Sequence, residues 1–400
     1  MSMQRARSLS VLIATLAACG PGALAVPEPR ELTVPAAPGA GQPFVGRWAD
    51  GIVASWTEPD GTGHALRFAR WDGEAWSQPG TIARGDGWFV NWADFPSVLA
   101  LSDRDLAAHW LQRSGRGTYA YDVMLTRSGD AGDTWSDPFR PHRDGTETEH
   151  GFATLFPFDG GVGVVWLDGR MYAGGAHGDS TGEMTVRFTS IPATGPPGPE
   201  ILLDGRACDC CQTAVALADG GPVVFYRDRS PDEVRDIVVT RLTGGAWTPP
   251  TPVHADGWVI GGCPVNGPAA DADGADVAVA WFTAAGEAPR VQVAFSRDAG
   301  ATFGPPVRVD DGDGAGRVDL LLMPAGPAFV VWLENVRDGA ELRGRLVAAD
   351  GTVGPSRRLA ATSATRASGF PRMARAADDV VLLWTEPGDP SRIRGAVLAF

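Results

Sequence analysis

Seven short phrases recur along the 400 residues, each an apolar run that ends in an aromatic residue and a polar break. They are Ser55-Trp56-Thr57-Glu58, His109-Trp110-Leu111-Gln112, Val165-Trp166-Leu167-Asp168, Phe225-Tyr226-Arg227-Asp228, Ala280-Trp281-Phe282-Thr283, Val331-Trp332-Leu333-Glu334 and Leu383-Trp384-Thr385-Glu386. Their aromatic residues stand 51 to 60 positions apart. A fixed period of this size, carried by short strands and turns, is the signature of a β-propeller built from four-stranded antiparallel blades. No stretch sustains the 3.6-residue apolar period of a long helix. The 52 Gly and 32 Pro supply turns, and 14 Trp supply large side chains for packing between blades. The sequence therefore predicts an all-β propeller of seven blades, or six if one unit is not a true blade.

The repeat fills residues 31–400, so a single domain is expected there despite the length. Ahead of it, Arg5 and Arg7 precede an apolar run from Leu9 to Ala18, too short to span a bilayer as a helix. Leu16-Ala17-Ala18-Cys19 resembles a bacterial lipobox, which predicts a signal peptide over 1–19 and a lipidated Cys19. Residues 20–30 then read as a tether, giving an exported lipoprotein of the bacterial cell envelope held at the membrane by acyl chains. The net charge of −14 argues against a nucleic-acid partner, which wants a basic surface.

Two units carry a full version of one turn between the third and outer strands: Ser128-Gly129-Asp130-Ala131-Gly132-Asp133-Thr134-Trp135 and Ser296-Arg297-Asp298-Ala299-Gly300-Ala301-Thr302-Phe303. The Asp accepts backbone N–H bonds across the turn, the Gly takes a positive φ, and the aromatic pins the turn to the blade. Unit seven ends at Phe400 after three strands. Its outer strand is expected from the N-terminus, where Glu31-Leu32-Thr33-Val34 matches the outer-strand phrase Pro306-Val307-Arg308-Val309. Such closure leaves no open end.

In a propeller the blade-to-blade connections and the loops between second and third strands open on one face, with the Asp-containing turns on the other. Most chemically suggestive residues fall on the first face. Cys208, Cys210 and Cys211 lie in one connection and Cys263 in the next. Three readings stay open for them: disulfides, with Cys263 bonded to one of the trio; a zinc or copper(I) site of four thiolates, or of three with His150; or free thiols. Arg170, Arg227, Arg229, Arg235 and Arg372 are candidates to grip a carboxylate or phosphate, Arg170, Arg227 and Arg372 pointing at the channel. Asp168 and Asp228 are candidate acid/base groups, while a self-satisfied salt-bridge network is the alternative for the 228–236 loop. His64, His109, His142 and His177 have no comparable context, and His254 lies near Asp256 and Trp258.

The two turns resemble the Asp-box, or BNR, hairpin, with Ser128, Asp130, Gly132, Thr134 and Trp135 in one and Ser296, Asp298, Gly300, Thr302 and Phe303 in the other. Together with the Arg-rich face they resemble the sialidase (neuraminidase) superfamily. The motifs Cys-Asp-Cys-Cys, Cys-Pro-Val-Asn-Gly-Pro and Trp-Leu-Asp-Gly-Arg are similar to those of bacterial exported proteins labelled exo-α-sialidase. The resemblance implies a glycan-active or glycan-binding propeller, with an Arg set holding an acidic sugar, an Asp as acid/base and a Tyr nucleophile, for which Tyr226 is the candidate. The chain departs from that family in having no Tyr after Tyr226, no Phe/Tyr-Arg-Ile-Pro segment and a seventh unit. A metal or redox centre on the cysteines with His150, and a scaffold that binds a protein partner, are the alternative functions.

Overall fold

The structure, a computed structural model, describes residues 24–172, 182–324 and 326–400. The lipobox, Cys19 and His177 lie outside the described residues. The strands form seven antiparallel sheets in sequence order around one axis. Blade one contains Gly41–Trp48, Gly51–Asp60, Gly63–Trp71 and Gly80–Gly85. Blade three contains His150–Phe158, Gly161–Asp168, Thr185–Ile191 and Ile201–Asp204, and blade six contains Gly314–Leu322, Ala328–Val336, Gly339–Val347 and Arg357–Thr362. In blade two the outer position is reduced to a single bridge between Leu125 and Phe139. Blade four takes Thr251–Pro252 as its outer edge. Blade five ends in the short outer strand Val307–Arg308.

Closure follows the expected route. Arg30–Leu32 pairs antiparallel with Arg392–Ala399, so the first strand of the chain is the outer strand of the last blade. From Leu24 onward the segment before it is packed and is not a free tether, a correction to that part of the sequence reading of residues 20–30. Leu24 and Val26 are buried in the core shared by blades six and seven, and Arg357 donates to the Val26 carbonyl and pairs with Glu28.

Seven hydrophobic clusters account for the core, and each lies at one junction between neighbouring blades. The recurring aromatics are distributed one per cluster: Trp56 at the seven–one junction, then Trp110, Trp166, Tyr226, Trp281, Trp332 and Trp384 in ring order. Each ring thus packs its blade against the preceding one. The polar break that follows has a partner role. Trp56, Trp166 and Trp332 donate their indole N–H to the acid two residues on, Glu58, Asp168 and Glu334, at 2.6, 2.7 and 2.6 Å. At two junctions a carboxylate from the preceding blade's end substitutes for it. Trp281 donates to Asp256 and Tyr226 to Asp204, both at 2.7 Å. A buried donor left unpaired is costly, so the acid fixes the wedge.

The two Asp-containing turns have the internal bonding their residues dictate. Asp130 accepts the Thr134 amide at 2.9 Å and its hydroxyl at 2.5 Å, and Ser128 bridges Asp130 and the Gly132 amide. Asp298 does the same with Thr302 and Ser296. These hydrogen bonds hold both carboxyls down at about 2. Gly132 has φ +92°, and a Cβ there would collide with the Phe68 ring of the preceding blade. Trp135 stands edge-on to Phe68 and Phe303 to Phe225, so both turns also tie a blade to its predecessor.

A paired comparison tests the wedge. The Trp110 indole nitrogen has no hydrogen-bond partner, whereas Trp332 is fully buried with its nitrogen on Glu334. Trp332→Phe and Trp110→Phe remove similar volume, but only the first deletes a hydrogen bond to a buried carboxylate. Denaturant unfolding should show Trp332→Phe as the more destabilising by about 1–3 kcal/mol; equal losses would remove the indole–acid contact from the account.

Candidate thiolate centre and axial cavity

The connection from blade three to blade four begins at Asp204 and is held close to the second strand of blade four. The Cys208 amide donates to the Arg227 carbonyl at 3.0 Å, and Ala207 bridges Asp228. The next connection is knitted to the same place, because Arg235 donates to the Trp258 carbonyl and Val234 bridges Val259. This brings the cysteines of two connections together. The Cys208 sulfur lies 3.8 Å from that of Cys210 and 3.6 Å from that of Cys211. Cys263 lies close enough to Cys210 for the two thiols to influence each other's ionisation. All four are free, so the disulfide between Cys263 and the trio is not formed. Cys208 and Cys211 are buried and Cys263 is exposed.

The surroundings favour negative charge on sulfur. Hydrogen bonds from the Cys210 and Cys211 thiols, followed by the nearby Arg227 and Arg235 charges, hold Cys208 well below the ordinary thiol range. Arg235 reaches its sulfur at 3.3 Å, and the Asn266 amide donates to Cys211 at 3.4 Å. Burial pushes Cys211 up to about 12. Four thiolates around a zinc-like ion at about 2.3 Å would stand about 3.8 Å apart in a tetrahedron. The two separations from Cys208, to Cys210 and to Cys211, already match that figure, and the three sulfurs of this segment all lie within 4.8 Å of one another.

The arginines are placed differently from one another. Arg227 does not point at the channel: it is 1% exposed and donates to the carbonyls of Arg235, Asn266 and Phe282, with Trp258 across its face. Its guanidinium locks blade four to the following connection. Arg229 and Arg235 both grip Glu233, which satisfies the 228–236 loop internally. Arg170 folds back onto Asp168 at 2.6 Å and Glu200 at 2.5 Å. Asp168 is fully buried, and although burial opposes it, the Arg170 hydrogen bonds keep the carboxyl low. It is an ion-pair partner, not an accessible acid. Tyr226 is buried with its hydroxyl on Asp204. Asp228 is pushed up to about 6 by burial.

His150 is not beside the thiols. Its ring contacts Asp122 at 3.4 Å and Asp144 at 3.1 Å, and it stacks on His142 with centroids 3.8 Å apart and planes within 3°. Burial works against its charge, but the two carboxylates raise it to about 9. Parallel stacked rings cannot both aim an in-plane lone pair at one ion, so this cluster reads as a charged lock between blades two and three. His142 gave no signal in sequence because Asp122 and the His150 ring reach it only after folding.

On the axis, all seven blades line a cavity of about 180 Å³, from Phe44 in blade one to Arg372 in blade seven. Arg372 lies over the Phe44 and Phe95 rings, 3.7 Å from the buried Asp319. Asp94 borders the same cavity and is raised to about 7 by burial. The Tyr121 hydroxyl lies 2.9 Å from Asp94 and 2.7 Å from Glu149. One hydroxyl has one proton to donate, so a proton on Asp94 completes this trio. Asp94, Asp319 and Tyr121 were missed in sequence because nothing in their local context sets them apart.

Thiol accessibility follows from this geometry. In a Cys19→Ala chain, a thiol reagent should modify Cys263 first and reach Cys208 and Cys211 only on unfolding, read by mass spectrometry of labelled peptides. Equal labelling of all four in the native state would contradict the burial described.

No protein-family profile matches the chain, and no curated protein matches it. Among solved structures it is similar to an ulvan lyase of polysaccharide lyase family PL25, bound to -[GlcA(1-4)Rha3S]-, with a TM-score of 0.57, 10% identity, and 92% of this chain and 96% of that one covered. It is also similar to the polysaccharide lyase Uly1, with a TM-score of 0.52, 12% identity, and 90% and 89% covered. A third likeness is to a prolyl endopeptidase, with a TM-score of 0.50, 15% identity, and 90% of this chain but 50% of that one covered. At these identities the likeness is one of fold: this chain is a seven-bladed β-propeller.

Proposed function

We propose that the protein binds a thiophilic d10 cation, Zn²⁺ or Cu⁺, through Cys208, Cys210, Cys211 and Cys263. The observation that carries this is the convergence of three free sulfurs, with Cys208 3.6 and 3.8 Å from the other two as in a tetrahedral thiolate site, and the arrival of Cys263 beside Cys210 from the next blade connection. Thiolates select soft and borderline ions, and Arg227 and Arg235 offset the negative charge such a site accumulates. Lipidation at Cys19 would hold this centre at the membrane of the cell envelope. The test uses the reduced Cys19→Ala chain, dialysed against Zn²⁺ or Cu⁺ under anaerobic conditions. One ion per chain is expected, with none in the Cys208→Ser/Cys211→Ser variant; no uptake by the parent chain would overturn the reading.

A second reading is favoured by the axial cavity. Its Arg372, Asp319 and Asp94 offer a cation and two carboxyls to a sugar, and Phe44 and Phe95 offer ring faces. The Asp-box-like turns and the polysaccharide lyases of similar fold are in keeping with an acidic glycan there. Arg170, Arg227, Arg229 and Arg235 are engaged elsewhere, so Arg372 alone would meet the acid group. Titration with a sialoside and with a uronate oligosaccharide should show binding that Arg372→Ala abolishes; unchanged binding in that variant would sink this reading.

A further inference from the structure

The four cysteines are not equivalent, and the difference bears on whether a bound ion is fixed or exchangeable. Cys208 and Cys211 are both 1% exposed. Cys208 is held through its sulfur by Arg235 and through its amide by the Arg227 carbonyl. Cys211 is held by the Asn266 amide, and Asn266 is itself fixed by Arg227 and by the Arg317 amide. Cys210 is half-buried between them. These three sulfurs come from one four-residue segment and cannot leave without unmaking the blade junction.

Cys263 stands apart on every count. It is exposed, and it arrives on a strap pinned only at its ends, by the Ile260 amide on the Glu233 carbonyl and by Asn266. Between those pins Gly261 and Gly262 are exposed, with no other group within 4 Å of where a side chain would begin. Val259, next to the first pin, is 65% exposed. The strap therefore has the backbone freedom of two glycines with nothing packed against them, just ahead of Cys263. Its thiol lies beside that of Cys210, the least buried of the trio.

We infer that Cys263 is the labile ligand of the thiolate centre, and that the ion is exchanged there with a thiolate-bearing carrier. This rests on the metal-binding reading above. In the exchange an incoming thiolate forms a bond to the ion as the Cys263–ion bond breaks, and the released Cys263 thiolate takes up a proton. The ion keeps its charge, so no oxidant or reductant is needed. Cys208, Cys210 and Cys211 hold the ion during this first step, so one position opens while three stay bound, the arrangement that separates exchanging sites from closed structural ones. Further carrier thiolates then displace these three in turn, each released thiolate taking up a proton as the ion passes to the carrier. The partner class is any protein or small molecule presenting an accessible thiolate.

The test loads the Cys19→Ala chain and its Cys263→Ser, Cys208→Ser and Cys211→Ser variants with Zn²⁺ and, separately, Cu⁺. Ion content is measured, then the rate of transfer to excess dithiothreitol. Cys263→Ser should keep its ion and release it faster by about tenfold, since such changes fall mainly on the dissociation rate. Cys208→Ser and Cys211→Ser should fail to retain it. Loss of the ion from Cys263→Ser as complete as from Cys211→Ser, or a transfer rate equal to the parent's, would overturn the inference. A parent chain that takes up neither ion would overturn the metal reading itself, and this inference with it.

Discussion

One aromatic wedge at each blade junction is the contact on which the rest of the structure depends. A blade exposes two apolar faces and cannot be stable alone, so every face must be covered by a neighbour. The seven large rings, from Trp56 to Trp384, fill one junction each. Their polar tips are tied to carboxylates in five cases, three local and two from the adjoining blade end. The wedge thus carries packing and registration at once. Arg30–Leu32 closes the ring by completing the last blade, and Leu24 and Val26 cover the six–seven core.

Because the wedges fix blade orientation, they also fix which loops meet. The connections after blades three and four lie side by side, and that alone brings Cys263 to Cys208, Cys210 and Cys211 across more than fifty residues of sequence. Arg227 is the pin of this arrangement. Buried under Trp258, it spends its donors on three carbonyls from the loops it joins, and its charge is felt at the thiols it does not touch. A guanidinium buried in this way is a structural strut that also tunes the neighbouring chemistry.

Much of this was legible in the chain. The repeat gave the blade count and the closure, and its phase put the four cysteines on one face. What local sequence hid was side-chain direction. Arg227 and Arg170 occupy strand ends that look as if they face the channel, yet one turns into the junction and the other onto Asp168. Residues 24–30 have a linker's composition, but Leu24 and Val26 are apolar enough to be drawn into a neighbouring core. His150 reads as a neighbour of the cysteines, and folding gives it Asp122, Asp144 and His142 instead. The axial trio of Asp94, Tyr121 and Glu149 draws on residues 27 and 28 apart, which no local motif reveals.

The central claim is that four sulfurs on two blade connections form a centre for a thiophilic ion. X-ray absorption at the metal edge of the Zn²⁺-loaded Cys19→Ala chain tests it most directly. The account predicts a shell of sulfur scatterers alone at about 2.3 Å, four in number, with the sulfur count falling by one in Cys263→Ser. A shell dominated by nitrogen or oxygen at about 2.0–2.1 Å would place the ion elsewhere and contradict the account.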